Sequence, residues 1–313
     1  MNIFLAGASG FAGSRVLDDL VSAGHDVVAL AHSERSLEEI ARSNPKAKAV
    51  KGDVANADDM LRAVPIGMDA IIYLPGLLRE FPSKGITFRK VHVDGVKNLL
   101  AAAKQSGATR WIQMSALGAS QNGSTGYFRT KWEAEELVRA SGLDWTILRP
   151  SLIFDDRQRH QHNFVDEIAK AIRMSPLVPI LGDGKFLFQP VSLDDVSQTI
   201  VQSLSKPETI GKIYEIGGPE KITYIELVTR IAQAINSKKP PVQIPLLLIS
   251  SFARLFGPFS WFPITEDQIL MIKDGNYVHD PIEDKKWQET FKLPMKKFSI
   301  ETIKQSLLLE QHG

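Results

Sequence analysis

The chain has no cysteine in its 313 residues. Disulfides and thiolate chemistry are excluded, and a reducing compartment fits. It has no charge excess either: 37 Lys and Arg stand against 36 Asp and Glu, a net charge of +1. A balanced surface gives no field for a polyanion, so no nucleic-acid partner is expected. Long hydrophobic runs are scarce. Only Ile244–Ile264, IPLLLISSFARLFGPFSWFPI, approaches a membrane span, and it contains Pro245, Arg254, Pro258 and Pro263. A mid-segment Arg costs about 2.5–3.5 kcal/mol on insertion scales. The segment is expected to be partly helical and to cover a cleft, a protein partner or a peripheral membrane surface. The first strand is expected from Asn2, which leaves no signal peptide ahead of the fold. The expected location is cytoplasmic, with membrane contact at most peripheral.

What is present begins at Met1–Val16, MNIFLAGASGFAGSRV. Ile3–Ala6 is an apolar run short enough for a buried strand. Gly7, Gly10 and Gly13 follow at three-residue spacing, and Val16, Leu17, Leu20 and Val21 then recur with helical spacing. In a strand–turn–helix each glycine has a task. Gly7 turns the chain off the strand, Gly10 admits a pyrophosphate to the backbone, and Gly13 lets the helix pack closely. The helix N-terminus then offers free N–H groups to phosphate. The expected helix runs from about Ala12 to Ala23, and Asp26–Ala31 is the second strand. NAD-selective sites place Asp or Glu at the end of that strand to bind the ribose 2′-hydroxyl. Here the residues are His32, Ser33, Glu34 and Arg35, with Arg15 nearby. His32, Ser33, Arg35 and Arg15 suit a 2′-phosphate, so NADP(H) is expected in preference to NAD(H), against the contrary sign of Glu34.

Further strands are expected at Ala47–Val50, Asp69–Leu74, Thr109–Met114 and Asp144–Leu148. Helices are expected at Ser36–Ser43, Phe88–Ser106 and Tyr127–Gly142. Asp53 either caps the helix that follows it or faces an adenine amino group. Pro75-Gly76 ends the fourth strand. The alternation predicts an α/β fold with a Rossmann-type, doubly wound parallel sheet and a smaller, mostly helical C-terminal region. The expected domains are 1–154, with 189–222 returning to it, and a substrate or partner region of 155–188 and 223–313. In the latter half, Phe164–Met174 and Thr223–Ile235 read as helices, Lys212–Ile216 as a strand, and Lys238–Pro241 as a linker. Ser192 is expected to cap a helix with Asp194 and Asp195 in its first turn. His160 and His162, in a loop with Arg157 and Arg159, lack a defined third ligand, and no metal is assigned.

Tyr127 and Lys131 are four residues apart, hence on one helix face. A phenol titrates near 10, too high for acid–base work at neutral pH, and a nearby ammonium lowers it. Ser115 stands past the fifth strand, where ligands bind in such sheets and a hydroxyl can polarise a carbonyl.

The glycine spacing, Ser115 and the Tyr127/Lys131 pair together resemble the short-chain dehydrogenase/reductase superfamily. LRPSLIF (Leu148–Phe154) and FQPVSLDDV (Phe188–Val196) resemble its extended and atypical members. With MSALGA, YFRTKWEAEELV and IYEIGGPE, the pattern is similar to the atypical subgroup around the NADPH-binding accessory subunit of respiratory complex I and its bacterial relatives. The resemblance runs from Met1 to about Thr229. It implies that Tyr127 is the general acid/base, that Lys131 lowers its pKa and holds the nicotinamide ribose, and that Ser115 orients a carbonyl. It also implies that Gly7, Ser9, Gly10, Phe11 and Gly13 line the pyrophosphate, that Asp53 and Val54 contact adenine, and that Leu74 and Pro75 pass over the ribose. Three departures qualify it. His92 stands where the superfamily has a helical Asn, Tyr127 follows Ser115 by only twelve residues, and Asp155-Asp156 replaces the epimerases' Gly-Pro. The expected function is an NADP(H)-dependent oxidoreductase acting on a carbonyl or alcohol. The alternatives are a non-catalytic NADPH-binding assembly or sensor subunit of a respiratory-type complex, and an epimerase or isomerase.

Overall fold

The computed structural model describes residues 1–155, 163–256 and 264–307. The loop containing Arg157, Arg159, His160 and His162 lies outside them, as do residues 257–263 of the apolar segment. The chain divides into two compact units. One is Met1–Arg149, Ser197–Glu215 and Lys286–Phe291; the other is Pro150–Val196, Ile216–Lys285 and Lys292–Gly313.

The first unit is built on a seven-stranded sheet. Strands β1 (Asn2–Ala6), β2 (Asp26–Ala31), β3 (Lys48–Lys51), β4 (Ala70–Tyr73), β5 (Arg110–Met114) and β6 (Asp144–Pro150) are joined by the strand Lys212–Ile216. The order across the sheet is β3, β2, β1, β4, β5, β6 and then Lys212–Ile216, and every pairing among β1 to β6 is parallel. The strands are apolar because helices cover both faces. Ile3, Phe4, Leu5 and Ala6 of β1 are fully buried, as are Ala70, Ile71, Ile72 and Tyr73 of β4. The strand order reverses between β1 and β4, and in such sheets the crevice at that switch point is where ligands bind.

Five helices follow the strands: α1 (Phe11–Ser22), α2 (Glu34–Ser43), α3 (Ala57–Ala63), α4 (Gly95–Ser106) and α5 (Gly126–Arg139). Two expectations are corrected here. Asp53 does not cap α3. The helix starts at Ala57, so Asn56 is the cap and accepts from the Asp59 amide at 3.1 Å, while Asp53 Oδ1 accepts from Ala55 N–H at 2.9 Å. The expected helix Phe88–Ser106 is not uniform either, since Arg89–Asp94 forms a π-helical turn before α4. The Tyr73 hydroxyl donates to the Val91 carbonyl at this turn, and a methyl group on Gly95 would collide with that hydroxyl.

Beneath α5 lies a buried ion pair. Glu135, fully buried, accepts two bonds from Arg149 at 2.9 and 2.7 Å, and Arg149 also reaches Glu215 at 3.6 Å. It ties α5 to β6 and to the strand Lys212–Ile216.

The second unit has its own core, in which Phe154, Ile172, Ile180, Ile231 and Phe298 are buried. Ser192 accepts from the Asp195 amide at 3.1 Å at the head of the helix Leu193–Ser203, as a cap does. Lys238–Pro241 is not wholly a linker. Pro241–Ile244 is a strand in parallel register with Val178–Leu181, a position where proline is tolerated because one edge of the strand carries no partner strand among the described residues. The helix Leu246–Phe256 follows and exposes Leu247, Leu248, Phe252 and Leu255. Among the described residues no helix is long and apolar enough to cross a membrane.

Candidate nucleotide site

The glycine turn forms at the C-terminal end of β1. Gly7 has φ +85, a conformation that side chains resist, and its carbonyl accepts from Gly10 N–H at 3.0 Å. A methyl group on Gly13 would lie 2.6 Å from the Gly7 carbonyl carbon, so α1 can pack on the turn only because residue 13 is glycine. Gly10 is the N-cap of α1 and contributes no side-chain bond, and the first turn has no acidic residue. The leading N–H groups and the positive end of the helix therefore face the turn with no acidic residue of their own turn beside them. Ser9 and Phe11 flank it, half-buried. This cradle fits a pyrophosphate.

At the end of β2, His32 and Arg35 are exposed. Ser33 caps α2, accepting from Ser36 N–H at 3.2 Å. Arg35 pairs with Glu39 on the helix surface, at 3.0 Å, and Glu34 pairs with Lys51 at 2.6 Å. Arg15 differs: it is buried and bonded to Asp19 at 3.0 Å, so it is committed within the fold. His32 and Asp53 share the wall of a cleft of about 570 Å³ with Lys48, Lys51 and Arg62. Val54 is half-buried beside Gly95, and its carbonyl accepts from Asn98 at 2.9 Å.

Leu74–Leu77 runs from the glycine turn to α5. Leu74 and Pro75 pack on Gly7, where an added methyl group would sit 3.3 and 3.1 Å from them. At the other end, a methyl group on Gly76 would lie 3.2 Å from Lys131 Nζ. Lys131 is buried and donates to the Met114 carbonyl at 3.2 Å, which anchors α5 beside the residue preceding Ser115. Burial lowers the Lys131 ammonium to about 8, although Glu135 one turn further along pulls it upward. The Ser115 hydroxyl is buried and has no hydrogen-bond partner among the described residues. Tyr127 stands among three rings: Phe88 at 5.8 Å, His92 at 5.4 Å and Phe128 at 5.5 Å between centroids. Its phenol is raised well above the ordinary value by burial, not lowered as the nearby ammonium led us to expect. The ring excludes water, and desolvating a phenolate outweighs a cation 6.0 Å from the ring centroid.

Of the residues singled out in the sequence, the structure brings Ser115, Lys131 and the Leu74–Gly76 loop together, with Tyr127 on the same helix as Lys131. Phe88, Phe128, Thr130 and Glu135 escaped notice. Glu135 alone had a signal, continuing the four-residue spacing from Tyr127 and Lys131.

The family model for NAD(P)H-binding proteins matches residues 7–207. The 40 kDa subunit of mitochondrial NADH-ubiquinone oxidoreductase from Neurospora crassa is 26% identical over 88% of this chain and 71% of that protein. Mitochondrial NADH dehydrogenase (ubiquinone) 1 alpha subcomplex subunit 9 of Mus musculus is 30% identical over 70% of this chain, which spans 57% of that relative. Among solved structures, the UDP-glucose 4-epimerase of Thermotoga maritima has the same fold, with a TM-score of 0.73 at 19% identity over 99% of both chains. So does a double mutant of the dTDP-glucose 4,6-dehydratase of Streptomyces venezuelae with NAD bound, at 0.74 and 18% over 100% of this chain and 98% of that one. The chain belongs to the NAD(P)H-binding family, as an extended short-chain dehydrogenase/reductase resembling the complex I accessory subunit and its relatives.

Proposed function

We propose that the protein is an NADP(H)-dependent oxidoreductase acting on a carbonyl or alcohol. The observation that carries the reading is the Ser115 hydroxyl. Buried polar groups are almost always hydrogen-bonded, and a buried hydroxyl left without a partner among the described residues is what a substrate oxygen satisfies. Gly7, Ser9, Gly10, Phe11 and Gly13 hold the pyrophosphate, Asp53 and Val54 the adenine, and Leu74, Pro75 and Lys131 the nicotinamide ribose. NADP(H), when bound, would supply the hydride exchanged with the substrate carbon. Ser115 donates a hydrogen bond to the substrate oxygen, Tyr127 moves the proton at that oxygen, and Lys131 holds the ribose. Preference for NADP(H) rests on His32, Ser33 and Arg35. The Arg35–Glu39 pair is exposed and worth about 0–1 kcal/mol, so turning Arg35 to a 2′-phosphate costs little. Purified protein should consume NADPH with a panel of aldehydes and ketones. Tyr127→Phe should lower turnover about 10²–10⁴-fold while leaving NADPH affinity within about twofold. Equal turnover by Tyr127→Phe would sink the assignment.

A second reading is favoured by one specific feature, the exposed Leu247, Leu248, Phe252 and Leu255 on Leu246–Phe256. With complex I subunits among its relatives, the protein would then be a non-catalytic NADPH-binding assembly or sensor subunit, cytoplasmic or at a membrane edge. It would retain NADPH without turnover and co-purify with a partner that is lost when those four residues are made polar. Product formation with no net NADPH consumption would instead identify an epimerase. The sheet-bearing unit, Met1–Arg149 with Ser197–Glu215 and Lys286–Phe291, is assigned to the cofactor, and the other unit to the substrate or a partner.

A further inference from the structure

His92 is buried on the π-helical turn Arg89–Asp94, stacked on Phe88 at 5.5 Å between ring centroids and 13° between planes. Both of its nitrogens are engaged. The Leu77 amide donates to Nε2 at 3.1 Å, and Nδ1 lies 2.9 Å from Thr130 Oγ1. A nitrogen that accepts from an amide carries a lone pair, so the proton of the neutral ring is on Nδ1 and is donated to Thr130. The Thr130 hydroxyl then donates onward to the Gly126 carbonyl at 2.8 Å or the Tyr127 carbonyl at 3.0 Å. The chain of donors has one direction throughout, from Leu77 through His92 and Thr130 into the first turn of α5.

Its two ends are the two parts that must be in register for a nicotinamide ribose. One is Leu74–Leu77, packed at its start on Gly7 and at Gly76 against Lys131 Nζ. The other is the helix that carries Tyr127 and Lys131. Neither Ser115 nor Lys131 takes part in the relay, and His92 meets the Tyr127 ring in a T-shaped contact, 81° between planes.

We propose that His92, fixed with its proton on Nδ1, is a positioning residue that clamps the Leu74–Leu77 loop to α5 through Thr130 and so sets the ribose-binding gap between Gly76 and Lys131. The π-helical turn is what brings the ring to both partners. An extra residue in a turn displaces the side chains after it, and such turns recur at functional sites. The ring does not exchange protons in this role. Burial and the Lys131 charge lower its pKa to about 2. This inference rests on the cofactor reading above for its functional consequence, but the clamp itself does not.

Two measurements test it. In the cofactor-free protein at pH 7, ¹⁵N-edited NMR of His92 should report a protonated Nδ1 and an unprotonated Nε2, and Thr130→Val should expose the Nδ1 proton to faster exchange. A proton on Nε2, or an imidazolium, overturns the clamp. In NADPH titrations, His92→Phe keeps the stack and loses both bonds, and affinity should fall about tenfold, the equivalent of one to two hydrogen bonds. Thr130→Val should lose a smaller part, Thr130→Ser should recover it, and the double variant should bind no worse than His92→Phe alone. Strictly additive losses, or a Thr130→Ser as weak as Thr130→Val, would overturn the coupling. If the wild-type protein binds no NADPH, the cofactor reading fails, while the NMR signature still decides the clamp.

Discussion

Lys131 is a buried ammonium lowered from 10.5 to about 8, so the folded protein holds it against a penalty. A displacement of that size corresponds to about 3 kcal/mol opposing folding while the group is charged. Lys131→Met keeps the length of the side chain and removes the charge. It also removes the bond to the Met114 carbonyl, worth about 1 kcal/mol. Glu135 is not orphaned, because Arg149 holds both of its oxygens. The net expectation at pH 7 is a variant more stable by about 2 kcal/mol, of the kind found when a functional residue is held at a cost. The pH dependence fixes the cause. With the folded pKa below the unfolded one, the unfolded chain binds more protons between 8 and 10.5, so the wild type gains stability as pH rises through that window. The advantage of Lys131→Met is therefore full below pH 8 and shrinks toward pH 10. Urea unfolding of both proteins from pH 6.5 to 10 reads it directly. NADPH titration over the same range should show wild-type affinity falling above about pH 8, with no such step in the variant. A variant less stable at pH 7, or a gap that does not change with pH, would refute the argument from charge.

Two further substitutions bear on the cofactor cradle. Gly13→Ala forces a methyl group onto the Gly7 carbonyl, and should destabilise by about 1–3 kcal/mol in urea melts and abolish NADPH retention in equilibrium dialysis. Arg35→Ala should weaken NADPH about tenfold and leave NADH unchanged by fluorescence titration; equal loss for both would remove Arg35 from the 2′-phosphate site.

The parts legible in the sequence are those whose signal is local. The apolar run Ile3–Ala6, the glycine spacing and the helical stripe from Val16 sit within one strand–turn–helix, and backbone geometry there demands glycine at 7 and 13 whatever else the chain does. The sequence leaves Asp53 open between a helix cap and an adenine contact, and only the true start of α3 at Ala57 gives the cap to Asn56. The π-helical turn was invisible because Val91, Val96, Leu99 and Ala103 satisfy an ordinary helical stripe closely enough. What displaces the register is the Tyr73 hydroxyl arriving from β4, a tertiary event. The aromatic wall around Tyr127 is illegible for the same reason. Phe88 reaches it from far along the chain, and Phe128 reads as a core residue on a helix. Pro240-Pro241 reads as a linker until a partner strand is known, since proline in a strand is admissible only where one edge is free.

The Tyr127 wall also bears on the direction of the chemistry. A phenol raised by burial is a firmly held proton, and its phenolate is poorly solvated among Phe88, His92 and Phe128. Lys131 offsets this little, being itself desolvated and half-titrated at about pH 8. Such a tyrosine is ready at neutral pH to give its proton to an oxygen that is gaining negative charge, and reluctant to take one from an alcohol. Carbonyl reduction is therefore the direction that burial favours. Ser115, whose hydroxyl has no partner among the described residues, is placed to share the developing charge. The reduction rate should be level from about pH 6 to 7.5, with alcohol oxidation slower there and rising with pH, as stopped-flow measurement in both directions would read. An oxidation rate already maximal at pH 6.5 would mean that the phenol ionises easily in its cage, and would contradict the assignment of Tyr127 as a buried acid.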